Sequence, residues 1–109
     1  MGRLKIEISV PDDYVLRVIE ALEASGAGRI GNYESCTSVW RIAGTWRPMS
    51  GSQPHNGEVE IMNYGTETRI ESVCDAERAV HVLRAVRAAH PYEEPVIRFL
   101  PLYEPPYGA

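Results

Sequence analysis

Positive charge and cysteine are both scarce in this chain, and it has neither a long apolar run nor a local catalytic signature. Lys and Arg total 11 against 15 Asp and Glu, a net charge of -4. Nonspecific nucleic-acid binding rests on clustered positive charge, so no nucleic-acid partner is expected. No apolar stretch approaches the roughly 20 residues of a membrane span, so no membrane partner is expected either. The two cysteines, Cys36 and Cys74, are far apart and form no CxxC pair. Isolated thiols, with Met1-Gly2-Arg3 leading straight into a strand pattern, fit a reducing, cytoplasmic setting rather than a secreted one. Ser, His and Asp all occur, but no spacing ties them into a nucleophile, base and orienting group, so the expectation leans away from an enzyme.

What is present is globular. Hydrophobic residues make up 44% and charged residues 24% of the 109, enough for one ordinary core and a single domain over residues 1–109. Leu4, Ile6, Ile8 and Val10 alternate with polar residues, the period of a half-buried strand. Pro11-Asp12-Asp13 ends that strand and offers a cap for a helix over Asp13–Ser25. Its apolar face carries Tyr14, Val15, Val18, Ile19 and Leu22, and Gly26 stops it. A glycine-rich connection follows, then a strand over Tyr33–Ala43 rich in β-branched and aromatic residues. Thr45–Gly57 reads as a loop, Glu58–Met62 as a short strand, Asn63-Tyr64-Gly65 as a turn and Thr66–Cys74 as a strand. Asp75 is the expected cap of a second helix ending near Ala89, with Ala79, Leu83, Val86 and His90 on one face. Val96–Leu102 is the last strand, and Glu104–Ala109 a proline-rich tail.

This order, β-α-β, a small hairpin excursion, then β-α-β, predicts an α+β fold of the ferredoxin-like split βαβ type. An antiparallel sheet would carry both helices on one face. The other face would then meet solvent or a partner, with Trp40, Trp46 and Met49 as candidates for that contact.

Two segments hold candidate binding residues. His90-Pro91-Tyr92-Glu93-Glu94-Pro95 is a stiff helix-to-strand turn, because each proline restricts itself and the residue before it. His90 with Glu93 and Glu94 has the donor chemistry for a divalent metal such as zinc or copper. The plainer reading is a histidine that orders its turn, since one hexapeptide seldom supplies a closed ligand set. Gly28, Arg29, Gly31 and Asn32 offer an anion cradle. The plainer reading is again a tight connection needing positive φ, and the glycine spacing fails the dinucleotide and P-loop patterns. Cys36 and Cys74 are expected to be buried apolar groups, and His55 and His81 to be solvated. Arg78, Arg84 and Arg87 are expected to form a solvated helix face. The candidate ligand residues are thus Gly28, Arg29, Gly31, Asn32, His90, Tyr92 and Glu93, with Glu94 added for a metal.

Gly26-Ala-Gly-Arg-Ile-Gly-Asn-Tyr33, Gly44-Thr-Trp-Arg-Pro48, Gly57-Glu58-Val59, Arg69-Ile-Glu71 and Ala89-His-Pro-Tyr-Glu-Glu-Pro95 together resemble a known unit. It is the small inserted domain of the YqfO, or NGG-interacting-factor-three-like, dinuclear-metal-centre family. The likeness covers roughly Leu4 to Leu102. The HPYEEP turn also resembles one in the divalent-cation-tolerance protein CutA, and the glycine loop distantly resembles PII signal proteins. The resemblance implies a ferredoxin-like domain that self-associates, as a trimer ahead of a dimer. It implies a free-standing copy of the insert, without the larger flanking domains that build the family's metal site, so the family's hydrolase activity is not expected to transfer. It leaves three functional expectations: a binding or regulatory module, a divalent-metal-handling protein using HPYEEP, or a subunit docking on a larger protein partner.

Overall fold

The structure, a computed structural model, describes residues 2–106, so Met1 and the Tyr107–Ala109 end of the proline-rich tail lie outside the described residues. Four strands and two helices follow the expected order: β1 Arg3–Val10, α1 Val15–Ala24, β2 Ser38–Trp46, β3 Asn63–Asp75, α2 Ala79–Ala89 and β4 Val96–Pro101. The sheet order is β2-β3-β1-β4 with every pair antiparallel. This is the ferredoxin-like arrangement.

One face of the sheet is sealed by the helices. Ile6, Ile8 and Val10 of β1 and Ile70 and Cys74 of β3 are buried with Val18 and Leu22 of α1 and Val82 and Val86 of α2. The alternation read from β1 therefore points at the helices. On α2 the buried line is Val82, Val86 and His90 rather than Ala79 and Leu83, which are only partly covered. Spacing of four keeps that line on one side of a 3.6-residue helix. The opposite face is a charged ladder. Lys5 lies 3.2 Å from Glu7 and 2.9 Å from Glu71, and Arg69 Nε donates to Ser9 Oγ at 2.8 Å.

Neither helix is capped by its aspartates. Each begins with a 3-10 turn, Asp12–Tyr14 or Ala76–Arg78, and neither Asp12 nor Asp75 makes a capping bond. The Asp12 carboxylate instead accepts from Thr68 Oγ1 at 2.7 Å and pairs with Arg41, tying the start of α1 to the β2–β3 ribbon. Tertiary partners outcompete the local cap.

The middle of the chain departs furthest from expectation. Tyr33–Thr37 is irregular, because Ser35 sits at positive φ and turns the backbone before pairing begins at Ser38. Glu58–Met62 is a turn, not a strand. Glu60 has φ 65°, and Asn63 bends the segment by donating to the carbonyls of Glu58 at 3.2 Å and Ile61 at 2.8 Å. An alternating pattern without a neighbouring strand yields to such local bonds. The expected turn at Asn63–Gly65 is instead paired with Gly44–Trp46. The Trp46 ring lies over Gly65, where a Cβ would come within 3.2 Å of it. A strand glycine often marks such a close approach. The result is a long β2–β3 ribbon that stretches the molecule to 52 × 24 × 22 Å.

Candidate functional site

His90 is the pivot of the HPYEEP turn. Helix α2 stops there because Pro91 cannot continue it, and the extended backbone of His90 carries the chain back toward β1. The ring is 7% exposed. Its Nε2 lies 2.6 Å from the Ser9 carbonyl and its Nδ1 accepts the Tyr92 N–H at 3.2 Å. A carbonyl only accepts and an N–H only donates, so the ring is neutral with its hydrogen on Nε2. Burial pushes the His90 pKa below its ordinary 6.5, against the Ser9 hydrogen bond and the Glu67 charge, which pull it up.

Tyr92 sends its hydroxyl to Glu67 Oε2 at 2.5 Å. Burial first, then that hydrogen bond and the nearby negative charge, push the phenol well above its ordinary value of 10. Because the folded pKa is raised, the stabilisation is complete below pH 10 and is lost as pH rises beyond it. In an alkaline spectrophotometric titration, one of the six tyrosines should stay un-ionised until the protein unfolds. Tyr92→Phe should abolish that delayed fraction; a variant that keeps it would show that another tyrosine is responsible.

The loop between β2 and β3 closes over this turn. Gln53 N–H donates to Glu93 Oε1 at 2.8 Å. The His55 ring packs edge-on to Tyr14 with centroids 5.7 Å apart and tilted against Tyr92 at 5.9 Å. Between loop, ribbon and turn lies a cavity of about 420 Å³. Trp46, Pro48, Pro54 and Val96 form its apolar wall. Glu67, Glu93, Glu94 and Arg47 also line it. Glu93 and Glu94 both line the cavity, although neighbours on an extended chain point apart, because the backbone bends at these two residues.

The expected candidates therefore do not converge. Val96 pairs with Ser9 at the far end of β1, whereas Gly28 N–H donates to Val73 O at 2.7 Å, near the β1 start. Val73 pairs with Lys5, four residues from Ser9, so at 3.3 Å per residue the two places are roughly 13 Å apart along β1. Gly28 is there bonded on both sides of its backbone, its N–H to Val73 O and its O to Cys36 N–H. Gly31 and Asn32 form a tight turn closed by reciprocal Ile30–Tyr33 bonds of 3.0 and 2.9 Å. Arg29 lines a smaller cavity. Cys74 is buried and Cys36 half-buried, both unpaired by disulfides. His81 is exposed. His55, Trp46 and Glu67 were not expected at a site. The length and Pro/Gly content of the β2–β3 loop were the signal that pointed there, since long loops in small domains are usually functional.

No family model matches the chain. It is similar to "GTP cyclohydrolase 1 type 2 homolog" of Mycobacterium bovis, with 39% identity over 104 residues, 94% of this chain and 27% of that protein. The protein of the same name from Halalkalibacterium halodurans is 36% identical over 98 residues, covering 90% and 26%. The chain thus spans about a quarter of the length of the curated relatives it matches. Among solved structures, a Bacillus cereus protein related to NIF3 superposes with a TM-score of 0.82 at 33% identity, over 94% of this chain and 26% of that one. The periplasmic divalent cation tolerance protein CutA from Archaeoglobus fulgidus superposes with a TM-score of 0.70 at 19% identity, over 96% and 88%, a likeness of fold.

Proposed function

Because the chain is a homologue of one ferredoxin-like segment of the NIF3/YqfO proteins, we propose that residues 1–109 form a single-domain, self-associating binding module. The ligand occupies the cavity beside the HPYEEP turn. The observation that carries this reading is that cavity: about 420 Å³, within the range of small-molecule sites, with an aromatic wall and a loop clamped by Glu93. Three carboxylates against one arginine favour a neutral or cationic organic ligand, and the Trp46 face suits a cation. The cyclohydrolase activity named for the relatives is no part of the proposal, since the chain matches only about a quarter of them.

The test is fluorescence titration with benzylamine in a Trp40→Phe background, which isolates Trp46. Saturable quenching that weakens about tenfold in Glu94→Gln, the loss of one charge-assisted contact, is the expected result. No saturation below about 10 mM, the floor of measurable affinity, would sink the cationic reading.

Metal handling through HPYEEP receives less support. Both ring nitrogens of His90 are engaged, and among the described residues no three His, Cys, Asp or Glu side chains are placed to hold an ion. Submicromolar zinc or copper binding that disappears in His90→Ala would reinstate it.

Self-association is supported by β2. It is an edge strand of nine residues with almost every side chain exposed, and Trp40 is 43% exposed on its open face. Such an edge invites pairing unless covered. Head-to-tail pairing of the unlike edges β2 and β4 closes as a ring, so a trimer is proposed ahead of a dimer. Sedimentation equilibrium at tens of micromolar should show the oligomer and Trp40→Glu should dissociate it; monomer alone in the wild type would refute the point. A docked larger protein partner is the remaining alternative. Among the described residues no helix is long and apolar enough to cross a membrane.

A further inference from the structure

The end of the sheet remote from HPYEEP gathers three arginines from three separate parts of the chain. Arg3 begins β1, Arg29 follows the first helix, and Arg78 precedes α2. They line one cavity of about 270 Å³ with Gly26 and Asp75. Arg78, Arg84 and Arg87 are all exposed, as the sequence leads one to expect, but of the three Arg78 alone lines this cavity. Arg78 folds back onto Gly26, donating Nε–H to the Ser25 carbonyl at 3.3 Å. A Cβ at position 26 would lie 2.8 Å from that Nε and 2.9 Å from Nη2, and φ is +91° there. Glycine therefore admits the guanidinium to this place. Arg3 Nη1 donates to the Arg29 carbonyl at 2.8 Å, which draws the Arg29 backbone to the same rim.

The charge balance here opposes that of the larger cavity. Three arginines line it against one acidic residue, Asp75. Glu104 reaches Arg3 from the rim at 3.8 Å with its side chain 54% exposed. Among the described residues, Arg29 and Arg78 have no carboxylate within ion-pair distance. In a chain of net charge -4, three cations around one concavity with one facing anion leave a local excess of donors. Planar guanidinium groups match the oxygens of a tetrahedral oxyanion by paired N–H donation.

We infer that this cavity binds a phosphate group, held by Arg29 and Arg78 and closed by Arg3, with Glu104 as an exposed competitor that the ligand displaces. The site is independent of the HPYEEP cavity and stands whether or not that cavity binds an amine.

Isothermal calorimetry or amide-shift titration at low ionic strength, with inorganic phosphate and phenyl phosphate run in parallel, tests it. Saturable binding of either supports the site, and the tighter of the two names the source as free phosphate or phosphomonoester. Arg29→Gln and Arg78→Gln should each weaken binding at least tenfold, the effect of one charge-assisted pair. Glu104→Gln should tighten it, and Arg84→Gln, outside the cavity, should leave it unchanged. Arg29→Gln removes an exposed side chain and keeps the test decisive should Arg78→Gln fold poorly. No saturation by either probe below about 10 mM, or equal loss in Arg84→Gln, would overturn the inference.

Discussion

Replacing His90 with alanine should destabilise the fold by about 2–3 kcal/mol, because two buried backbone groups lose their partners at once. The Ser9 carbonyl accepts from Nε2 and the Tyr92 N–H donates to Nδ1, and neither regains water easily when the ring is only 7% exposed. Each orphaned group costs about 1–3 kcal/mol, with partial relief as the cavity relaxes. The pH dependence carries a sign. Burial lowers the folded pKa of His90 below 6.5, so the unfolded chain takes up its proton first as pH falls. The stabilisation is complete above pH 6.5 and is lost as pH falls from there toward the folded pKa. Urea unfolding at a series of pH values should therefore show a steeper loss between pH 6.5 and 5 in the wild type than in His90→Ala. Equal stability of the two proteins at pH 7.5 would refute the role of His90 as the fastener of its turn.

Gly28→Ala is expected to cost about 2–3 kcal/mol, although the change adds one methyl group. Gly28 has φ +80°, and a Cβ there would meet Cys36 N at 3.0 Å and Cys36 O at 3.2 Å. A left-handed conformation alone costs a non-glycine residue about 1–2 kcal/mol. The crowded atoms are backbone, and they are held in place. Gly28 N–H is bonded to Val73 O at 2.7 Å, Cys36 N–H to Gly28 O at 2.9 Å and Ser72 Oγ to Cys36 O at 2.9 Å. Gly31 supplies the control: its φ is +56° but nothing lies within 4 Å of a Cβ there, so Gly31→Ala should cost only about 1 kcal/mol. Denaturant midpoints of the two variants measure the difference. Equal midpoints would mean that the Gly28 crowding is relieved by a shift of the Cys36 segment.

The parts of the fold legible in the sequence are those where local period and burial agree. β1 alternates because its two faces meet different surroundings, and α1 carries Val18 and Leu22 inward at helical spacing. The HPYEEP turn was legible because two prolines restrict the backbone whatever surrounds it. The Glu58–Met62 segment was misleading for the opposite reason. It alternates, but Val59 and Ile61 remain 40% and 50% exposed, so no packing rewards the alternation. The cavity was half legible. Tyr92 and Glu93 were candidates, whereas His55 is an exposed loop residue, as expected, that meets Tyr14 and Tyr92 only because the β2–β3 loop folds back on the turn.

Local pattern sets the order of elements, the face of β1 and α1 that turns inward, and the rigidity of the HPYEEP turn, since each depends on neighbours a few residues away. Which distant groups meet depends on how the whole chain folds back on itself. That folding put Glu67 under Tyr92, Asp12 on the ribbon instead of on its own helix, and Arg78 around one cavity with Arg3 and Arg29. Such contacts join residues 25 or more positions apart. Strand register and chain reversal set those distances, and no local pattern encodes them.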